Sequence, residues 1–384
     1  MAQGRRFWYK KAMRVLLVGG AVRDLVLGRP VSDKDYLVMG ADAAEFGERF
    51  PQALPVGKSF PVYWLRGDQF AFLRGASVDE DLLARDFTVN AMALDENGEI
   101  YAHPRALEDL DAKALRPCSA RSLSDDPLRV FRAARFLAQL SGFKAHPELA
   151  LAMRREAALG ELEGIDAERV GVELRKALQG LRPGVFLRLL SETGCLRPWF
   201  EELASAADIP AGPLPYHDES VLEHTAQVMD RLAGQGELAV FMGLCHDLGK
   251  TVTPSDRWPS HHGHDRLGEE LASDMALRLR LPSRMEAAGR TAARWHMTAA
   301  RYKDLRTGTR VDLLSRLHAL KLVRETFALV VADRGAKAAG LLERAQADLD
   351  AMLAVRLPKA DRNRGAASGE RLRQLRCEAL AHRR

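Results

Sequence analysis

The hydrophobic pattern at the start of the chain predicts a strand, a sharp turn and a helix. The apolar run from Val15 to Val18 has the length of a buried strand, and it stops at Gly19-Gly20. Apolar residues at helical spacing follow, and Gly28 is placed to end that helix. A second short strand is predicted from Tyr36 to Met39. The first 40 residues therefore indicate a compact strand–helix–strand unit.

Further along the chain the pattern changes from strands to helices. Residues 56–73 predict two strands around the turn Arg66-Gly67-Asp68. Residues 124–136 predict one helix, residues 141–215 predict several helices, and residues 336–384 are predicted to be helical as well. The sequence thus indicates a mixed N-terminal region followed by a helical remainder.

Composition narrows the class of protein only a little. With 384 residues, the chain is predicted to form two or more domains. Its 57 Lys and Arg against 52 Asp and Glu give a net charge of +5, which is compatible with a polyanionic partner. The four cysteines are scattered without a C-x-x-C motif and fit a reducing cytoplasm, and no apolar run is long enough to span a membrane. A cytoplasmic protein without a membrane partner is expected.

Asp33 and Asp35 stand at the entrance of the second predicted strand. Carboxylates at positions i and i+2 of an extended segment point to the same face, so both could hold a pair of divalent cations, as nucleotidyl transfer requires. The Gly19-Gly20 turn lets main-chain N–H groups approach phosphates at a helix N-terminus. Arg23 adds a forked donor one turn later. The alternative, without a catalytic role, is an ordinary turn with two solvated carboxylates.

These residues resemble a known enzyme class. GGAVRD followed by DKDYLV is similar to the first motif of tRNA nucleotidyltransferases and bacterial poly(A) polymerases, which share a polymerase-β-like head. The resemblance implies that Asp33 and Asp35 are catalytic and hold Mg²⁺, and that Gly20 and Arg23 bind the nucleotide.

A second motif supports the same class with departures. The stretch from Arg85 to Asn90 resembles R-R-D-x-T-x-N, which implies that Arg85 and Asn90 bind the nucleotide. The first arginine of this motif is Ala84 here. The third motif, D-P-x-x-G, is degraded at residues 102–106.

The predicted helix at residues 124–136 carries a candidate device for choosing the base. At 100° per residue Arg129, Arg132 and Arg135 fall in one arc, predicted to face away from the core. A carboxylate that accepts beside an arginine that donates would take cytosine and adenine and reject uracil and guanine. The resemblance implies that Asp126 and Arg129 are this base template and that Arg132 and Arg135 bind the nucleotide. An ordinary helix N-cap at Asp126 is the alternative.

A histidine-rich region follows. His224 lies in a helical pattern, the string LCHDLGK contains His246 and Asp247, and Asp333 lies downstream. This order resembles the HD superfamily of metal-dependent phosphohydrolases and implies that these four residues hold a transition metal, with Ni²⁺ as the candidate. His264 and His296 are secondary candidates. Within the neck, Arg169 and Glu173 match R-x-x-x-E-L and are predicted to pair as a structural brace.

The resemblance implies an α+β fold, in which a polymerase-β-like nucleotidyltransferase head with a mixed sheet precedes an all-α neck, body and HD domain. The predicted boundaries are an N-terminal extension at 1–12, the head at 13–117, the neck and body at 118–209, a linker near 210–215, the HD domain at 216–335 and a basic tail at 336–384.

The function implied is template-independent addition and repair of the 3′-terminal CCA of tRNA with CTP and ATP. The HD domain would act as a 2′,3′-cyclic phosphodiesterase, 2′-nucleotidase or phosphatase. The expected partners are the tRNA 3′ end and the two nucleotides, and the enzyme is expected to be a monomer or a homodimer.

Three alternatives remain open. A CC-adding enzyme is favoured by the shortened connection at residues 75–91. A phosphohydrolase with a degenerate head is favoured by Ala84, Ala102 and Ala106. A non-catalytic tRNA-binding protein would require that neither Asp33 and Asp35 nor His246 and Asp247 take part in catalysis.

Overall fold

The computed structural model describes residues 13–31, 33–56, 62–73, 75–214 and 218–381. The predicted N-terminal extension at 1–12 lies outside the described residues. The chain divides into two compact units. The first contains residues 1–129 and 142–156, and the second contains residues 130–141 and 157–384.

The first unit is built on a mixed seven-stranded sheet in the order β3-β4-β5-β2-β1-β6-β7. Its strands are β1 (Arg14–Val18), β2 (Asp35–Met39), β3 (Leu54–Val56), β4 (Val62–Leu65), β5 (Asp68–Phe72), β6 (Met92–Leu94) and β7 (Ile100–Ala102). Strands β2 and β5 pair in parallel, and the other neighbours are antiparallel. A small parallel pair joins β8 (Ala114–Leu115) and β9 (Lys144–Ala145).

Short helices flank this sheet. They are α1 (Gly20–Val26), α2 (Ala43–Arg49), α3 (Val78–Leu83), α4 (Ala106–Asp111) and α5 (Ser122–Asp125). The predicted strand–turn–helix is confirmed, because β1 runs directly into α1 at Gly19-Gly20. The predicted hairpin is also confirmed: Arg66 and Gly67 have φ of 55° and 92°, and two positive φ angles suit a two-residue hairpin turn.

One predicted helix is divided. The sequence predicts a single helix over 124–136, but α5 ends at Asp125 and α6 (Arg129–Gln139) begins four residues later. Asp126 is extended, with φ −149° and ψ 96°, because the ring of Pro127 disfavours a helical conformation in the residue before it. Asp126 still caps the turn, since its Oδ1 accepts a hydrogen bond from Leu128 N at 3.3 Å.

The remaining helices continue to the C-terminus, and most of them belong to the second unit. They are α7 (Pro147–Ala158), α8 (Ala167–Leu178), α9 (Gly184–Glu192), α10 (Val221–Arg231), α11 (Glu237–Cys245), α12 (His264–Arg278), α13 (Ser283–Ala300), α14 (Thr307–Ala319), α15 (Val323–Arg334), α16 (Leu341–Ala354) and α17 (Ala366–Ala381). The helical prediction for 141–215 is confirmed for residues 147–192, whereas Lys144–Ala145 form a strand and residues 193–214 contain turns and one short 3-10 helix, Glu201–Leu203. The helical prediction for most of the tail is confirmed.

Helix α11 is the central element of the second unit. Its apolar side chains lie all round the helix, and every residue from Ala239 to Cys245 is buried. Helices α10, α13 and α15 pack against it. Because α11 ends in the His246-Asp247 pair, this packing places both polar residues deep inside the unit.

Within the described part of the chain, none of the helices combines the length and the apolar character that crossing a bilayer requires. The predicted linker is partly integrated into the second unit. The carbonyl of Pro210 accepts a hydrogen bond from His261 Nε2 at 2.8 Å, and the carbonyl of Ala211 accepts one from Lys250 Nζ at 2.7 Å.

Candidate active sites

The first candidate site surrounds the Gly19-Gly20 turn. In the antiparallel pair of β1 and β2, Val18 lies opposite Asp35, so this carboxylate begins its strand beside the turn that follows Val18. Asp33 and Asp35 are both exposed. Gly19 has φ 76° and donates its N–H to the Met92 carbonyl at 2.9 Å, which fixes the turn against β6. A conformation with positive φ favours glycine at this position.

Two guanidinium groups lie over the turn. A Cβ atom at Gly19 would come 3.2 Å from Arg85 Nη1, and one at Gly20 would come 3.3 Å from Arg23 Nη2. Each of these side chains is also fixed by a carboxylate. Arg85 donates two hydrogen bonds to Asp81 Oδ2, at 3.2 Å and 3.3 Å. Arg23 donates two hydrogen bonds to the Asp24 carboxylate, both at 2.9 Å. The turn therefore presents the Gly20 N–H and two guanidinium cations to the same space, which suits a phosphate.

Asn90 lies in this network. Arg23 Nη1 donates to its Oδ1 at 2.6 Å, and its Nδ2 donates to Asp86 Oδ1 at 3.3 Å. Asn90 is buried, and its amide orientation is set by these two partners. The structure thus brings Gly20, Arg23, Arg85 and Asn90, which are predicted to bind the nucleotide, into one cluster.

Arg129 is held by main-chain oxygens of the same unit. Its Nη1 donates to the carbonyls of Arg85 at 3.3 Å and Ser122 at 3.0 Å, and its Nη2 donates to the carbonyl of Ala84 at 2.9 Å. The predicted base-reading side chain is therefore tied to the segment that carries Arg85. Asp126 is half-buried, and its Oδ1 accepts from Leu128 N at 3.3 Å.

Arg132 and Arg135 belong to the second unit, and the predicted arginine stripe is wrong in one respect. Arg135 does not face away from the core: it is 8% exposed. Its Nε donates to Glu173 Oε2 at 2.5 Å, and its guanidinium lies 3.8 Å from the centre of the Phe136 ring. Glu173 also lies 3.8 Å from Arg132 Nη1. A buried partner on α8 attracts Arg135 inward, and helical periodicity within α6 carries no information about that partner.

The second candidate site gathers histidines and aspartates from five helices of the second unit. His224 lies in α10, His246 and Asp247 follow α11, His264 begins α12, His296 lies in α13 and Asp333 in α15. The four predicted metal ligands meet: His224 Nε2 lies 3.2 Å from Asp333 Oδ1 and 3.3 Å from His246 Nε2. His246 Nε2 lies 3.2 Å from Asp247 Oδ2.

The two secondary candidates lie on the other side of Asp247. His264 Nε2 is 3.5 Å and His296 Nε2 is 3.6 Å from Asp247 Oδ1. Two groups that could hold a metal ion therefore share Asp247, one with His224 and His246 and one with His264 and His296, each with ligand atoms within 4.8 Å of one another.

Burial and neighbouring charges shift the pKa values of the aspartates in this cluster in opposite directions. Burial alone would raise the pKa of Asp247, but His246 and Lys250 hold that pKa well below its usual range. Lys250 Nζ donates to Asp247 Oδ2 at 2.6 Å. Burial likewise opposes the low pKa of Asp333, which results from the hydrogen bond with His224 and from nearby cations. Burial lowers the pKa of His296 to about 4.

The donor set fits a transition metal. Imidazole and carboxylate ligands suit Zn²⁺, Ni²⁺ and related ions. Among the residues that the structure describes, the buried Asp247 Oδ1 has no hydrogen-bond partner, which is costly unless a cation satisfies it. Sequence reasoning did not assign a role to Lys250 or to Glu219, whose carboxylate contacts His224 Nδ1 at 3.0 Å. The position of Lys250 three residues after Asp247 could have indicated that the two side chains interact.

Comparisons with known proteins agree with this organisation. Residues 142–207 match the family described as the probable RNA and SrmB-binding site of polymerase A, and residues 216–336 match the HD domain. The chain is 38% identical over 333 residues to the multifunctional CCA protein of Xanthomonas campestris pv. campestris strain B100, covering 79% of this chain and 80% of that protein. It is 34% identical over 404 residues to the multifunctional CCA protein of Methylococcus capsulatus, covering 96% and 94%.

Among solved structures, the Bacillus stearothermophilus CCA-adding enzyme in complex with CTP is 25% identical with a TM-score of 0.65, and the match covers 96% of this chain and 89% of that one. The Thermotoga maritima CCA-adding enzyme complexed with tRNA shares the fold, with a TM-score of 0.65 at 20% identity over 97% of this chain and 88% of that one. Both relatives are more than 30% identical to the chain, and the matches cover 80% and 94% of their lengths. Similarity of this extent establishes the family. The chain belongs to the multifunctional CCA proteins.

Proposed function

We propose that this tRNA nucleotidyltransferase completes and repairs the 3′-terminal CCA of tRNA with CTP and ATP, and that its HD domain hydrolyses phosphate esters. The observation that carries the first part is the position of Arg23 and Arg85 over the Gly19-Gly20 turn, beside the strand that Asp35 begins. Relatives that are named multifunctional CCA proteins, and a fold neighbour named for its complex with CTP, support the same substrates.

In the proposed reaction the tRNA 3′-hydroxyl attacks the α-phosphate, and pyrophosphate leaves. Asp33 and Asp35 would hold Mg²⁺, which activates the hydroxyl and stabilises the charge on the triphosphate. The N–H of Gly20, at the start of α1, and the guanidinium of Arg85 would bind phosphate oxygens. Asn90, oriented by Asp86 and Arg23, would contact the sugar.

Base selection is proposed to rest on Asp126 and Arg129. A carboxylate acceptor beside a guanidinium donor matches the amino group and ring nitrogen that cytosine and adenine share. Arg129 is well suited to a fixed template because three main-chain carbonyls orient it. The nucleotide-binding role of Arg132 and Arg135 stays a prediction.

Incorporation of labelled CTP and ATP tests this part. The substrates would be tRNA transcripts that lack CCA or lack only the final A. Asp35→Asn is expected to reduce incorporation by at least about a hundredfold, because the metal contributes several kcal/mol to transition-state stabilisation. Glu96→Gln, which changes an exposed carboxylate elsewhere in the first unit, should leave incorporation unchanged.

The same assay decides between the CCA-adding and CC-adding functions. The described connection between β5 and α3 is short, since β5 ends at Phe72 and α3 begins at Val78. Addition that stops after two cytidines would favour the CC-adding alternative. Complete CCA addition would show that a longer connection is dispensable.

For the HD domain we propose hydrolysis of 2′,3′-cyclic phosphates and 2′-phosphates with a transition metal such as Ni²⁺ at His224, His246, Asp247 and Asp333. Hydrolysis of 2′,3′-cyclic AMP and 2′-AMP should be lost in His246→Ala and kept in His262→Ala, which removes an exposed histidine of the same region. Asp35→Asn should keep it. Hydrolysis without any nucleotide incorporation by the unmodified chain would instead favour a degenerate head.

A further inference from the structure

We infer that the hydroxyl of Ser122 determines how accurately the first unit selects the base, because it holds Arg129 in a fixed position. Ser122 acts through Arg129 and does not touch the nucleotide, so it is a positioning residue. This inference rests on the proposed role of Asp126 and Arg129 in base selection. It concerns the discrimination of CTP and ATP from UTP and GTP.

The Ser122 hydroxyl lies between an acceptor and a donor. Its Oγ donates to the main-chain carbonyl of Asp86 at 2.8 Å and accepts from Arg129 Nη1 at 3.0 Å. A carbonyl oxygen only accepts and a guanidinium only donates, so the direction of both hydrogen bonds is fixed. Ser122 is 1% exposed, which shields these hydrogen bonds from water. The hydroxyl therefore forms a specific link between Asp86 and Arg129.

Through this link Arg129 is anchored to three consecutive main-chain carbonyls. Its Nη2 donates to the Ala84 carbonyl at 2.9 Å and its Nη1 to the Arg85 carbonyl at 3.3 Å, while Ser122 connects it to the Asp86 carbonyl. The first two carbonyls follow the last turn of α3, where carbonyl groups lack partners within the helix and a cation is favourable. The Ser122 hydroxyl extends this anchor to Asp86.

The same segment carries groups that are proposed to bind the rest of the nucleotide. The Arg85 side chain lies over Gly19, where a Cβ atom would come 3.2 Å from its Nη1. The Asp86 carboxylate accepts from Asn90 Nδ2 at 3.3 Å. The anchor therefore fixes Arg129 relative to the proposed phosphate and sugar contacts. A nucleotide held by those contacts would present its base to a guanidinium at a defined place.

Both Nη atoms of Arg129 take part in the anchor, whereas its Nε makes no hydrogen bond within the described part of the chain. Arg129 is half-buried, so this N–H is accessible to a base. Cytosine and adenine offer a ring nitrogen that accepts, but uracil and guanine present a ring N–H at the same place. A fixed guanidinium opposes that second donor, whereas a mobile one shifts away from it. Rejection of the wrong base therefore depends on the anchor more than acceptance of the right base does.

The test is the ratio of kcat/KM for CTP to kcat/KM for UTP, measured with the full chain and tRNA transcripts that lack CCA. In Ser122→Ala this ratio should fall roughly three- to tenfold, the size of one net hydrogen bond, chiefly through faster incorporation of UTP. The variant is expected to fold, since the Asp86 carbonyl keeps its hydrogen bond from Cys118 N at 3.2 Å. If alanine impairs folding, Ser122→Cys gives the same test, because a thiol is a weak donor of similar size.

Two variants serve as controls. Ser122→Thr keeps the hydroxyl and should restore the ratio of the unmodified chain. Ser124→Ala removes an exposed hydroxyl of the same helix, which donates to the Arg121 carbonyl at 3.0 Å, and should leave the ratio unchanged. A merely structural role of Ser122 would slow the incorporation of CTP and UTP alike and would not move their ratio.

Arg129→Ala distinguishes a failure of this inference from a failure of the proposed base template. An unchanged ratio in Ser122→Ala, together with a lost preference for CTP in Arg129→Ala, would overturn the inference and leave the template intact. A low ratio in both Ser122→Ala and Ser122→Thr would also overturn it, because the hydroxyl would then not be the determinant. If Arg129→Ala kept the full preference for CTP, in incorporation or in equilibrium dialysis with labelled CTP and UTP, the template itself would be wrong and the inference with it.

Discussion

Gly249 lies directly against the main chain of His264, so closely that a Cβ atom at position 249 would overlap the His264 carbonyl oxygen. Gly268, one turn into α12, forms the other half of this contact, since a Cβ atom there would lie 2.9 Å from Gly249 N. The absence of two side chains lets α12 approach the HD motif and bring His264 to Asp247. The glycine after His246-Asp247-Leu248 thus has a positional role.

Gly249→Ala should therefore damage the HD centre without affecting nucleotide incorporation. Relief of the overlap requires α12 to move, and overpacking of this kind costs about 1–3 kcal/mol. We expect a lower melting temperature and weaker hydrolysis of 2′,3′-cyclic AMP. Gly164→Ala is the matched control, because nothing lies within 4 Å of a Cβ atom at that exposed position. A Gly249→Ala variant with unchanged melting temperature and unchanged hydrolysis would contradict this account.

Asn90→Ala should weaken nucleotide incorporation. The substitution removes the 2.6 Å hydrogen bond that Asn90 accepts from Arg23, along with the proposed sugar contact. A hydrogen bond to a charged group contributes about 1.5–3 kcal/mol, which corresponds to a roughly 10- to 100-fold decrease in kcat/KM for CTP.

The control for this variant is Asn97→Ala, in the turn between β6 and β7. It should retain incorporation. HD hydrolysis should be unchanged in both variants, and an equal decrease of both activities in Asn90→Ala would point to unfolding in place of a binding role.

Glu173→Ala should destabilise the second unit. Arg135 would lose the 2.5 Å ion pair in a buried position, and removal of one partner from a buried pair costs about 3–5 kcal/mol. Thermal unfolding followed by circular dichroism measures this effect, with Glu161→Ala at an exposed position as the control. If Arg135 served mainly to bind nucleotide, Glu173→Ala would change the KM for CTP with little change in melting temperature.

Glu223 provides a pH-dependent contribution to stability. Its pKa is lowered chiefly by the hydrogen bonds from Arg188, which donates to both of its oxygens at 2.8 Å, while burial and Glu219 oppose the shift. A folded-state pKa below the unfolded value of about 4.3 means that the stabilisation is present above that value and lost as the pH falls through the folded pKa.

The melting temperature of the unmodified chain should therefore exceed that of Glu223→Gln at pH 6 to 7, and the difference should shrink as the pH falls below the unfolded pKa of about 4.3. Because the Glu223 side chain is 39% exposed, the effect is expected to stay within about 1 kcal/mol. Glu161→Gln should show no such trend. A difference that is constant with pH would exclude the ionised pair as its cause.

Local sequence patterns were sufficient to predict the parts of the structure that are determined by residues close together in the sequence. The strand–turn–helix at Val15 to Val26 and the hairpin at Arg66-Gly67 follow from apolar periodicity and turn residues, and the structure has both. The four residues His224, His246, Asp247 and Asp333 were identifiable from the motif, and the structure brings them within contact distance. Whether they bind a metal stays a prediction.

Features set by distant partners were not predictable. The inward turn of Arg135 depends on Glu173, 38 residues away on another helix. The pairing of His264 with His296 depends on the close approach of α12 to Gly249, which no periodicity reveals. The break between α5 and α6 could have been predicted, because Pro127 restricts the backbone conformation of Asp126. The apolar pattern on both sides of the break, however, resembles that of one continuous helix.

The histidines and aspartates of the HD centre come from α10, α11, α12, α13 and α15, so a bound metal would act as a cross-link between parts of the chain as far apart as residues 224 and 333. Metal that binds only the folded state stabilises that state by mass action. Chelation would then do more than stop hydrolysis: it would lower the melting temperature of the second unit and expose it to proteases. The lifetime of this region in a cell would follow the supply of metal.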